Sequence, residues 1–370
     1  MAHLVRAYNA DAGVMISASH NTVEYNGIKL FSSEGFKLPD SVEEEIEALI
    51  LDGAADIPLC SGTDVGRITR LANACNDYIR HIRDCAGTGD YAGDGLRFCF
   101  DCANGSSSAT ARRLFSYLGG NCEFIADEPD GTNINEDCGS THIEQLCERV
   151  KLGGFSAGFA FDGDADRCLA VDEHGNVIDG DRIIAILAKR MKDKGVLKGN
   201  AAVVTVMSNL GFHDFMRDND MKTVCAKVGD RYVLEEMQRG GYNIGGEQSG
   251  HIIMLDHATT GDGQLTAAML IKVMQETGKT LSQLCGDIAD YPQLLVNVKI
   301  GADSKGKWSS TPAITEAIAQ AEAQLGTQGR ILVRESGTEP LVRVMVEGKD
   351  MALVKSLADS VADAVRNSLS

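Results

Sequence analysis

The chain has 370 residues, of which 44% are apolar and 24% charged, with only six prolines. That is too long for one ordinary core, so about two to four domains are expected. The balance of 35 Lys+Arg against 53 Asp+Glu, −18 net, argues against nucleic acid or an anionic membrane as the main partner and requires any anionic substrate to find a local basic pocket.

Eleven cysteines without regular spacing read as reduced thiols, mostly core filler. No apolar run is long enough to span a bilayer. Met1-Ala2-His3-Leu4-Val5-Arg6 has neither the charged nor the apolar region of a secretory signal, so a cytoplasmic location is expected.

A first unit covers residues 1–82. A helix over about 2–10 leads to a strand at 13–18, a loop containing Ser19, and a second strand at 27–31. Ser41, with Glu44 three positions on, predicts a capping box for a helix over 42–51, and another helix is expected over about 67–82. Two strands give this unit little sheet to pack against. Residues 83–180 form a second unit, with strands at 96–100, 121–125, 155–161 and 168–172 and a helix over about 107–118. Residues 181–288 repeat the plan: a helix at 181–194, a strand at 201–206 ending in Ser208-Asn209, a helix, a strand at 222–226 and a helix at 229–239. Strands alternating with helices predict mostly parallel sheets with loops gathered at one sheet edge. Residues 289–370 differ, with strands at 294–300, 330–333 and 341–346 and helices at 311–325 and 350–368. The fold class is α/β: three tandem mixed α/β units, the first truncated, and a C-terminal α+β domain.

Asp162-Gly163-Asp164-Ala165-Asp166-Arg167 is the strongest local signal. Its carboxylates alternate with small residues and can converge on one hard cation, Mg2+ or Ca2+. Asp162, Asp164, Asp166 and Glu173 also match loop positions 1, 3, 5 and 12 of an EF-hand, but Arg167 stands where that loop needs Gly, and strand-like runs flank it. A solvated acidic turn is the plainer alternative. Arg167 has the reach and shape to grip a phosphate.

Ser19 follows the apolar run Gly13-Val14-Met15-Ile16, at a strand end where α/β proteins house chemistry. Adjacent Ser19 and His20 cannot form a hydrolase triad, and the loop is no Gly-x-Ser-x-Gly elbow. We read Ser19 as the carrier of a phosphoryl group, supported by the other stretches described here. Lys29 is an acid–base candidate if a nearby cation lowers its pKa; otherwise it is an exposed strand lysine. Gly245-Gly246-Glu247-Gln248-Ser249-Gly250-His251 suits hydrogen bonds to a polyhydroxy ligand, or is only a Gly-rich turn. Arg334-Glu335-Ser336-Gly337-Thr338-Glu339-Pro340, with Arg343 beyond, suits a phosphate, although Ser336 and Glu339 also have capping-box spacing. Asp230 reads as a helix cap and Arg231 as a further cation.

Taken together, these pieces resemble the α-D-phosphohexomutase family, in particular its glucosamine-phosphate branch. The resemblance rests on Ser17-Ala18-Ser19-His20-Asn21 with Asn26-Gly27-Ile28-Lys29, the 162–167 loop, Gly246 to His251 and Arg334 to Pro340. It is reinforced by 133–142, 205–211 and 226–233, and the order agrees over essentially the whole chain. The resemblance implies four domains around a cleft and a mutase that moves phosphate between the 6- and 1-positions of a hexose through a 1,6-bisphosphate. It implies Ser19 as phosphoserine; Mg2+ held by Asp162, Asp164, Asp166 and a Ser19 phosphate oxygen; and His20 and Lys29 as the acid–base pair. Glu247 and Ser249 would grip sugar hydroxyls, with Arg167 and Arg231 as further substrate contacts. Arg334, Ser336, Gly337, Thr338 and Arg343 would hold the unreacting phosphate. A glucose or glucosamine 1,6-bisphosphate would act as activator and a phosphosugar would be the partner, with room for a homodimer. Glucosamine is the favoured sugar; a phosphomannomutase/phosphoglucomutase or a non-catalytic sugar-phosphate-binding remnant are the alternatives. Two departures stand out. Thr22 replaces the family's Pro, which removes a φ constraint. Family members also carry a preceding segment with an active-site arginine, so a truncated first domain is expected.

Overall fold

Strand alternation sets the start of the fold. The structure is a computed structural model that describes residues 1–53, 57–87, 95–118, 121–301, 304–336 and 340–369. Helix α1 (Ala2–Ala7) precedes an antiparallel hairpin of β1 (Ala12–Ser17) and β2 (Gly27–Ser32), in the register Ser17↔Gly27 to Ala12↔Ser32. One face of the hairpin packs with Ala2, Val5 and Phe31, while Val14, Ile16 and Ile28 on the other face are 54%, 69% and 64% exposed. Helix α2 (Asp40–Leu51) buries no residue. The expected capping box does not form: Pro39, with its φ locked, is the N-cap, so Ser41 falls inside the first turn. Helix α3 (Ala74–Ala86) begins later than the sequence suggested. Ile68 and Leu71 ahead of it are exposed, whereas Ile79, Ile82 and Ala86 provide a buried face.

The second sheet contains β3 (Arg97–Asp101), β4 (Asn121–Ile125), β5 (Ala157–Phe161), β6 (Cys168–Asp172) and β7 (Val177–Ile178), in the order β4-β3-β5-β6-β7. The first three are parallel, but β6 and β7 run antiparallel. The expectation of a mostly parallel sheet fails at that edge because residues 162–167 are too few for a crossover and can only turn the chain back. A 3-10 turn at Ser106–Ala109 leads to α4 (Ala111–Tyr117), and α5 (Glu144–Gly153) precedes β5. Phe98, Phe100, Phe115, Phe159 and Phe161 fill the core, the Phe100 and Phe115 rings stacking at 4.0 Å.

The plan then repeats. After α6 (Gly180–Asp193) come β8 (Ala201–Thr205), α7 (Leu210–Asp218), β9 (Lys222–Ala226), α8 (Asp230–Gly240), β10 (Ile244–Gly246) and β11 (Ile252–Met254). The sheet order is β11-β10-β8-β9, with β11 antiparallel at the edge. Helix α9 (Gly263–Thr277) packs against α3, α6, β5 and β6, and α10 (Leu281–Cys285) follows. Each of these two sheets thus ends in antiparallel strands, and the β5–β6 and β10–β11 turns carry two of the motifs picked out by sequence.

The chain divides into two compact bodies, and the smaller comprises residues 208–218 and 288–370. Its sheet, β12 (Gln293–Lys299), β13 (Gly329–Glu335) and β14 (Leu341–Gly348), is antiparallel in the order β12-β14-β13. Helices α11 (Pro312–Leu325) and α12 (Met351–Leu369) cover it with an aliphatic core. Helix α7 belongs to this body although β8 and β9 flank it in the chain. Asn209 and Tyr291 exchange two hydrogen bonds, at 3.0 and 3.1 Å, and buried Glu347 accepts from Leu210 N–H at 2.8 Å while pairing with Arg330 at 2.7 Å.

All eleven cysteines are free. Cys60, Cys75 and Cys225 are exposed, while Cys99 and Cys102, in C-x-x-C spacing across the end of β3, are both buried. Among the described residues no helix is long and apolar enough to cross a membrane.

Candidate active site

The turn between β5 and β6 presents Asp162, Asp164 and Asp166 from one sheet edge. Their oxygens approach within 4.8 Å of one another, close enough to share a cation. Asp162 Oδ2, Asp164 Oδ1 and Asp166 Oδ1 are buried with no hydrogen-bond partner among the described residues. Orphaned buried carboxylate oxygens are costly unless something positive meets them. Three hard oxygen donors of this kind fit Mg2+. Burial, then the charges of Asp166 and Asp164, push the Asp162 carboxyl up to about 7. Burial works against Asp166 too, but His251 and Lys29 hold it well below the usual carboxylate range. Glu173, the EF-hand's twelfth position, bonds instead to Ser282, so that rival is excluded by geometry.

Lys29, on β2, pairs with both Asp164 and Asp166, the latter at 2.9 Å. A lowered Lys29 pKa was the condition for proton transfer. Burial acts in that direction, but the two carboxylates outweigh it and the shift is upward.

Ser19 lies at the end of the same hairpin, with a left-handed φ of 55°. Its N–H donates to Ser17 Oγ at 2.9 Å, and its carbonyl accepts from Asn135 Nδ2 at 2.9 Å. The backbone sits directly on the carboxylate loop: a Cβ on Gly163 would lie 2.5 Å from the Ser19 carbonyl oxygen. Only glycine allows that approach. Exposed His20 has its pKa lowered, first by partial shielding from water and second by Arg167.

The β10–β11 turn is joined to this loop. Arg167 and His251 form an antiparallel bridge, and Cys168 N–H donates to the Gly250 carbonyl at 3.0 Å. Buried His251 lies between Asp166, at 3.5 Å, and Asp230, at 3.6 Å. Glu247 accepts from Gly229 N–H at 3.1 Å, and Ser249 is exposed. Gly180 opens α6 against this turn, where a Cβ would meet the Glu247 carbonyl at 2.0 Å. Arg231 is engaged by Asp40 and by Glu235 at 2.9 Å, and Asp230, read as a helix cap, instead pairs with Lys37.

Within the smaller body, Arg334 and Arg343 are cross-strand partners on β13 and β14. Like charges placed opposite each other destabilise a strand pair unless an anion lies between them. Burial, then Arg343, lowers the Arg334 pKa, and Arg343 Nε is buried with no partner among the described residues. Ser336 is buried beside them, its N–H donating to the Leu341 carbonyl at 2.9 Å. The predicted contacts Gly337 and Thr338 lie outside the described residues.

Sequence reasoning brought together Ser19, His20, Lys29, the three aspartates and Arg167. It gave no site role to Lys37 or Asn135, and used His251 only as part of a motif. Asn135 and His251 are buried polar residues whose partners are remote in the chain, and no local pattern announces such contacts.

Phosphoglucomutase/phosphomannomutase domains I, II, III and the C-terminal domain match residues 1–56, 76–175, 179–291 and 295–364 in turn. The phosphoglucosamine mutase of Ruminiclostridium cellulolyticum is 48% identical over 370 residues, covering 100% of this chain and 82% of the relative. That of Clostridium perfringens strain SM101 is 50% identical over 365 residues, covering 99% and 81%. Aspergillus fumigatus N-acetylphosphoglucosamine mutase, solved in complex with GlcNAc-6P and magnesium, has the same fold at 20% identity, with a TM-score of 0.75 over 100% of this chain and 92% of that one. The chain therefore belongs to the phosphoglucomutase/phosphomannomutase family, among relatives that are phosphoglucosamine mutases.

Proposed function

We propose that the chain is a phosphoglucosamine mutase, interconverting glucosamine 6-phosphate and glucosamine 1-phosphate through phosphorylated Ser19 and a 1,6-bisphosphate. The observation that carries this reading is the seating of the Ser19 backbone on Gly163, inside a loop whose three aspartates keep orphaned oxygens. Phosphoryl transfer needs positioning and charge neutralisation more than covalent help. Asp162, Asp164 and Asp166 would hold Mg2+, which when bound neutralises charge on the transferring phosphoryl group. His20, kept neutral near pH 7 by its lowered pKa, takes the proton from the attacking sugar hydroxyl. Lys29 contributes fixed positive charge beside the aspartates. Glu247 and Ser249 would hold sugar hydroxyls, Arg167 and Arg231 would contact the phosphosugar, and Arg334, Ser336 and Arg343 would grip the phosphate that is not reacting. A sugar 1,6-bisphosphate supplies the phosphate that primes Ser19. A small metabolite as substrate fits a cytoplasmic location.

Glucosamine 6-phosphate incubated with the protein, Mg2+ and a catalytic amount of glucose 1,6-bisphosphate should give glucosamine 1-phosphate. No turnover by folded protein would refute the proposal.

A further inference from the structure

We propose that Asn135 is the positioning residue of the Ser19 loop, fixing the phosphoryl-carrying serine over the carboxylate loop from the neighbouring domain. The inference rests on the reading of Ser19 as phosphoryl carrier.

Asn135 is 1% exposed and takes a left-handed φ of 56° in the segment between β4 and α5. Its Nδ2 donates to the Ser19 carbonyl at 2.9 Å and to the Asn21 carbonyl at 2.7 Å. Both amide hydrogens are thereby spent on one loop, 116 and 114 residues away in the chain. The amide has one workable orientation, since the reverse would set its oxygen against two carbonyl oxygens. The same Nδ2 would lie 2.7 Å from a Cβ on Gly163, so it touches the carboxylate loop and the serine loop together.

Asn135 is itself held. Its N–H donates to the Ala103 carbonyl at 2.9 Å, and Ala103 has a left-handed φ of 54°. Buried Asp101, at the end of β3, accepts from Ala103 N–H at 2.9 Å and from Gly139 N–H at 2.8 Å. A continuous set of hydrogen bonds therefore runs from the end of β3 to Ser19. Ser19, Ala103 and Asn135 all have positive φ. Such conformations persist only where the surroundings over-determine them.

Asn135→Asp tests this directly. It preserves shape and tolerance of positive φ but replaces the donor with an acceptor facing two carbonyls. Asn135→Gly keeps the backbone conformation without the amide and serves if the first variant fails to fold. Turnover, KM for glucosamine 6-phosphate and peptide-level hydrogen exchange are measured beside wild type and Ser19→Ala. A positioning role lowers kcat about tenfold to a hundredfold while KM stays within about twofold. Exchange should quicken over 17–22 and remain unchanged over 97–101 and 157–161. Two results overturn it: kcat within about twofold of wild type, or exchange quickened equally in those core strands, which would mean a purely structural role. Ser19→Ala separates the two claims, because turnover by that variant removes the phosphoryl-carrier reading itself.

Discussion

Gly163 decides how closely the Ser19 carbonyl approaches the carboxylates, because any side chain there would meet Ser19, Asn135 and Ile134 at 2.5–2.7 Å. Gly163→Ala is expected to cost about 1–3 kcal/mol of stability and, more tellingly, to lower kcat more than it raises KM. Thermal melts and steady-state kinetics read both. On the proposed function, Asp162→Asn removes one of the three carboxylate charges that would hold Mg2+ and should weaken Mg2+ binding at least about tenfold, measurable by calorimetry. Asp101 supplies a pH signature. Burial pushes its carboxyl up to about 6, from 3.8, despite two backbone N–H bonds. Between these values the folded state binds a proton that the unfolded chain has released, so stability falls as pH rises through this window. The slope reaches about 1.4 kcal/mol per pH unit for one proton. Denaturant titrations from pH 4 to 6.5 should show the wild type losing ground relative to Asp101→Asn, which does not titrate. The charged residues of the site were legible in sequence because carboxylates alternating between apolar strands leave few bland explanations. Asn135 was not, since its two acceptors come close only after two domains fold against each other.

At the scale of elements, the parallel sheets were readable from alternating strands and helices, but their edges were not. A short apolar run such as Ile252–Met254 carries no sign of direction, and only the shortness of the loop before it forces an antiparallel return. The capping box at Ser41 failed for a local reason, Pro39 having set the helix start. Helix α7 shows the reverse problem: its chain position assigns it to the third unit, while Asn209, Tyr291 and Glu347 tie it to the smaller body. Glu347 is the key to that attachment. Glu347→Ala removes the partner of Arg330 and the acceptor for Leu210 N–H, and should destabilise the smaller body by about 3–5 kcal/mol. Hydrogen exchange of α7 and β14 should rise together, and a rise in α7 alone would mean that the pair acts only as a local cap.

For the molecule as a whole, a net charge of −18 and a substrate bearing phosphate are reconciled by local chemistry. Within the smaller body the cross-strand Arg334–Arg343 pair concentrates positive charge, whereas Lys29 and Arg167 lie against three aspartates whose charge outweighs theirs. On the proposed function, Ser19 covalently carries every phosphoryl group that passes. The most direct test is peptide mapping after brief exposure to glucose 1,6-bisphosphate labelled with 32P, in the presence of Mg2+. The label is expected on the peptide containing Ser19 and should be discharged by added glucosamine 6-phosphate with formation of labelled sugar bisphosphate. Turnover without label on Ser19, or label that sugar phosphate fails to discharge, would rule out Ser19 as the carrier.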